Sequence, residues 1–146
     1  MPEPSSFDYA IVRVVPHVER GECLNAGVIL FCRTREFLGA RIHLDPARLH
    51  ALCPGADADA ISAHLESFAA VAAGGERAGP IGKLSPSERF HWLTSPRSTV
   101  VQVGEVHSGL SDDPARSLDE LFDRLAAHHD DIGRPHPERS RRGRTQ

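Results

Sequence analysis

Cysteine is scarce in this chain and cannot pair evenly. Cys23, Cys32 and Cys53 are the only three, and no CxxC pair occurs, which argues against a disulfide framework and against zinc sites of the usual spacing. All three are expected to be small core residues. Aromatic residues make up 5% of the chain and do not interleave with basic ones, so there is no stacking platform for single strands. No apolar run approaches the ~20 residues that span a bilayer. The N-terminus, MPEPSSFDYA, has neither a basic n-region nor an apolar h-region, and a cytoplasmic protein without membrane association is expected. The one lysine, Lys83, lies in Gly79-Pro80-Ile81-Gly82-Lys83-Leu84, which lacks the Walker spacing and the hydroxyl after the lysine. A P-loop is therefore set aside.

Positive charge is in deficit over most of the chain. The net charge is −3, yet Arg134 to Gln146 holds five arginines and one glutamate, a sum of +4 that leaves −7 for the rest. So acidic a body is a poor general binder of nucleic acid, and only weak contact through the basic tail is left open. His128-His129-Asp130-Asp131 invites a metal reading. Adjacent side chains at a helix end point in different directions, so no metal is assigned there, and no cofactor is implied anywhere.

What is present is organised around Tyr9 to Cys32. Tyr9 to Val15 alternates with a period of two and is rich in β-branched residues, which predicts a strand ended by Pro16. Cys23 to Cys32 is almost continuously apolar, as in a strand covered on both faces. The two form an antiparallel hairpin, and Gly27 marks a bulge or a close approach of another backbone. Phe37 to Leu44 adds a third strand. Asp45-Pro46 starts a short helix stopped at Cys53-Pro54-Gly55. A longer helix from Asp57 or Asp59 carries the stripe Ile61, Leu65, Phe68, Ala69 and Ala72 and ends at Gly74-Gly75. The glycine-rich segment from Gly74 to Leu84 reads as a loop.

Ser85-Pro86-Ser87-Glu88 is a capping box that opens a helix to Leu93, with Phe90 and Leu93 facing the core. Thr99 to Val103 is a β run, and Val106 and His107 extend it or pair with it across Gly104. Asp113-Pro114 begins a helix to about His128 with Leu118, Leu121, Phe122 and Leu125 on one face. The expected fold is α+β, a single domain over 7–129. Its sheet is mainly antiparallel, of about five strands covered by helices, and residues 130–146 form a disordered basic tail.

Arg20-Gly21-Glu22, Asn25 and Gly27-Val28, followed by Ser95-Pro96-Arg97-Ser98 and His107-Ser108-Gly109, resemble the bacterial family called domain of unknown function 3037. The resemblance covers about Phe7 to His128. It implies no activity. Members are often encoded beside a HipA-like kinase, which implies such a kinase as a partner.

The same pattern gathers a candidate site. Arg20 and Arg97 would grip an anion, Arg97 as a bidentate fork, with Ser98 as a single donor and Asn25 beside them. Glu22 or His107 would move a proton. The structural alternative is a buried Glu22–Arg97 pair with Asn25 holding a turn. A Ser98–His107 nucleophile pair would also need an orienting acid and an oxyanion hole, and there is no G-x-S-x-G elbow, so serine hydrolysis is set aside. Two functions follow. The first is a non-catalytic interaction or regulatory partner of the HipA-like kinase, as in a toxin–antitoxin module. The second is an enzyme or binding domain for a phosphate-bearing small molecule or nucleotide.

Overall fold

The computed structural model describes residues 3–127. The assigned tail at 130–146 and the histidines at 128 and 129 lie outside them. The order of elements is β1 (Ser5–Val14), β2 (Leu24–Cys32), β3 (Phe37–Ile42), α1 (Pro46–Leu52), α2 (Ala58–Ala73), α3 (Pro86–Thr94), β4 (Val101–Val103), β5 (His107–Ser111) and α4 (Pro114–Leu125). The fold is α+β, with one antiparallel sheet in the order β3-β2-β1-β4 and β5 also paired to β1.

The helix starts follow from local chemistry. Asp45, Asp57 and Asp113 each accept a backbone N–H of the first turn, and Ser85 with Glu88 forms a complete capping box. Each cap satisfies a donor that the helix leaves orphaned. The end of α2 is held from outside. Arg89 donates from Nη1 to the carbonyls of Val71 and Ala72, and from Nε to Leu84. A Cβ on Gly74 would meet that guanidinium at 2.9 Å, so the glycine leaves room for it. The segment after it is built of 3-10 turns over Glu76–Lys83, where the sequence pattern shows only a loop.

β2 is buried on both faces, as its apolar run predicts. Leu24, Ala26, Ile29 and Phe31 join the core formed with Leu49 of α1, Ile61, Leu65 and Phe68 of α2, and Phe90 and Leu93 of α3. Val28, Leu30 and Cys32 face the other way, against Leu118, Leu121 and Phe122 of α4. Sealing those three α4 side chains contributes roughly 1.5–3 kcal/mol each when fully buried. A bulge between Val12 and Arg13 of β1 leaves Ala26 of β2 without a partner. Next to it a Cβ on Gly27 would strike the carbonyl oxygen of Arg41, which is the close backbone approach that the glycine marks.

One expectation changes. Cys32 and Cys53 are buried, but Cys23 is exposed, because β2 begins one residue later and Cys23 belongs to the loop. Of the two arrangements open for the last two strands, extension is the one formed, and they do not pair with each other. β4 pairs with Val12–Val14 and β5 with Ser5–Tyr9, while Gly104 N–H donates to the Ile11 carbonyl at 2.9 Å. They are two halves of one interrupted strand along β1, so Gly104 bridges rather than turns.

Candidate functional site

The face of the sheet under α4 is only partly covered by that helix, which packs on β2 and β3. Residues in register point to the same face of a sheet. Arg13 pairs with Asn25 and with Gln102, Tyr9 pairs with His107, and Phe7 with Gly109. These residues therefore share the α4 face, as the packing of Phe7 and Tyr9 with the α4 cluster requires. Phe7, Tyr9 and His107 form a row of rings, with centroid separations of 6.0 and 5.4 Å. Tyr9 and Arg13 are half-buried and His107 is exposed. On the opposite face of β5, Ser108 donates to Asp8 at 2.8 Å.

The residues singled out from the sequence fall into three places. Arg20 and Glu22 stand in the β1–β2 loop, where they form an exposed ion pair of 2.6 Å. Asn25 is on the α4 face, its Nδ2 donating to the Leu125 carbonyl at 2.9 Å; it ties β2 to the last turn of α4. Ser98 is exposed in the loop before β4. His107 lies on β5 against Tyr9, and no carboxylate orients it among the described residues.

Arg97 lies elsewhere. Its guanidinium is 4.9 Å from the centroids of both the Phe68 and the Trp92 ring, and it donates from Nη2 to the Trp92 carbonyl at 2.7 Å. Burial lowers its pKa. Phe68 belongs to the core on the α2 face, so Arg97 and His107 stand on opposite faces of the sheet. The Glu22–Arg97 pair is not formed. Arg97 joins α2 to α3 through aromatic contacts, and a single constellation of Arg20, Glu22, Arg97, Ser98 and His107 is not assembled. Among the described residues no group of three metal-ligating side chains is gathered, and no helix is long and apolar enough to cross a membrane.

In the sequence Tyr9 and Arg13 are only members of an alternating strand. Their register with His107 and Asn25 is what distinguishes them. One open feature is the outer side of β5, which pairs with β1 alone among the described residues, as β4 also does, while β3 pairs with β2 alone. Leu110 on β5 is 72% exposed, and Val106, just before the strand, is 48% exposed.

Fold and site together define a small α+β domain with helices on both sheet faces, an aromatic and basic strip on one face and, among the described residues, a sheet edge without a partner strand. A family model described as "Protein of unknown function (DUF3037)" matches residues 9–126, and the chain belongs to that family. No curated protein and no solved structure matches it.

Proposed function

We propose that this protein is a non-catalytic interaction protein, one that regulates a partner by binding it. The observation that carries the reading is the edge at β5, open among the described residues, where a strand with backbone groups left unpaired by β1 presents Leu110 at 72% exposure. An exposed apolar edge is a hazard that folded proteins cover or blunt, and strand addition is a common way for a partner to cover it. The strip of Tyr9, Arg13 and His107 lies beside that edge and offers side-chain contacts for specificity. Aromatic residues and arginine are the types enriched where proteins meet.

The partner to test first is the HipA-like kinase implied by the family resemblance. Binding of the purified kinase by calorimetry tests it, with Leu110→Lys as the comparison. The reading expects a complex that this substitution weakens by at least tenfold, about 1.4 kcal/mol. Equal binding by both proteins would remove the β5 edge from the account. The phosphate-ligand reading is weaker in this geometry, because Arg97 is engaged between two rings and Arg20 is paired with Glu22.

A further inference from the structure

The loop between β1 and β2 meets the end of α1 at a thiol and an imidazole. Cys53 follows the last residue of α1 and is 9% exposed. Its Sγ lies 3.3 Å from Nε2 of His17, a residue 36 positions earlier in the chain. The other ring nitrogen, Nδ1, is 3.9 Å from Oε1 of Glu19. With the ring hydrogen on Nδ1, Nε2 accepts from the thiol. A nucleophile within hydrogen-bond reach of a base, with a third polar group behind the base, is the arrangement that activates cysteine.

We propose that Cys53 is a nucleophilic thiol activated by His17, and that it is a site of oxidation by small peroxides. The three cysteines differ in the way this requires. Cys32 is fully buried and donates to the Ser6 carbonyl at 3.5 Å; it has no base within reach among the described residues. Cys23 is exposed and has no base within hydrogen-bond reach among the described residues. Among the described residues only Cys53 combines a base with slight exposure, 9%. So little exposed surface favours a reagent of two heavy atoms over a peptide or a thioester.

The step is balanced without any bound group. The proton of Sγ passes to Nε2 of His17, and the thiolate attacks one oxygen of hydrogen peroxide. The S–O bond forms as the O–O bond breaks, and the departing hydroxide takes the proton from His17 to leave as water. Sulfur is oxidised to sulfenic acid and peroxide is reduced. Glu19 places negative charge beside the imidazolium that forms during the step. The added oxygen must then displace His17, which loosens the loop that carries Arg20 and Glu22.

The test treats the full, reduced chain with hydrogen peroxide in the presence of dimedone and follows each cysteine by peptide mass spectrometry. Cys53 is expected to acquire the adduct about tenfold faster than exposed Cys23, and His17→Asn to slow Cys53 by about tenfold or more, as loss of a general base does. His17 is half exposed, so the variant keeps the parent's melting curve and its Cys23 rate. A Cys53 rate no greater than that of Cys23, or one that survives His17→Asn, overturns the proposal. Cys53→Ser confirms the assignment of the adduct.

Discussion

Replacing Arg97 by alanine separates a structural role from an anion-binding one. Two ring contacts at 4.9 Å contribute about 0.5–1 kcal/mol each at a partly exposed site. The 2.7 Å hydrogen bond to the Trp92 carbonyl is charge-assisted and contributes about 1.5–3 kcal/mol. Against this, removing the guanidinium returns its desolvation cost, the same burial that lowers its pKa. Neighbouring contacts also overlap. The net loss should be about 2 kcal/mol, and Arg97→Lys, which keeps the charge but not the planar stack, should lose about 1 kcal/mol.

Urea unfolding followed by tryptophan emission is the natural assay, because Trp92 is the only tryptophan and Arg97 lies against its ring. The native emission of Arg97→Ala should shift as well. A stability within about 0.5 kcal/mol of the parent, the range of ordinary surface substitutions, would refute the aromatic clamp. So would a parent whose midpoint rises with phosphate while that of the variant does not, since the fork would then be holding an anion.

Two further substitutions test how the scaffold is held. Gly27→Ala drives a methyl group against the Arg41 carbonyl and the Ile42 side chain, and calorimetry should show a loss of about 1–3 kcal/mol, as overpacking does. Arg89→Ala strands the carbonyls of Val71 and Ala72; it should cost about 1.5–3 kcal/mol and speed hydrogen exchange in the last turn of α2.

The features legible in the sequence are those decided within a few residues. Asp45, Asp57, Ser85 and Asp113 mark their helices because a cap needs only the following turn. The apolar run of β2 shows a strand covered on both faces, and Gly27 shows a close approach. The site was less legible because its geometry depends on distant partners. Arg97 looks like a free fork until Phe68, 29 residues earlier, is folded against it. Gly104 leaves open whether the strands on either side of it pair or continue, until β1 takes up both. Cys53 resembles any small core residue until the β1–β2 loop brings His17 to its sulfur. In each case the deciding contact is tertiary, and no local pattern records it.

The central claim is that the β5 edge binds a partner. Hydrogen exchange of the purified protein, alone and with a HipA-like kinase as the proposed partner, tests it at the residues concerned. The account predicts that amides of His107–Ser111 left unpaired by β1 become protected in the complex, while Leu110→Lys folds with a stability within about 0.5 kcal/mol of the parent and gains no protection. Absence of binding, or a complex in which those amides exchange as fast as in the free protein, would contradict it.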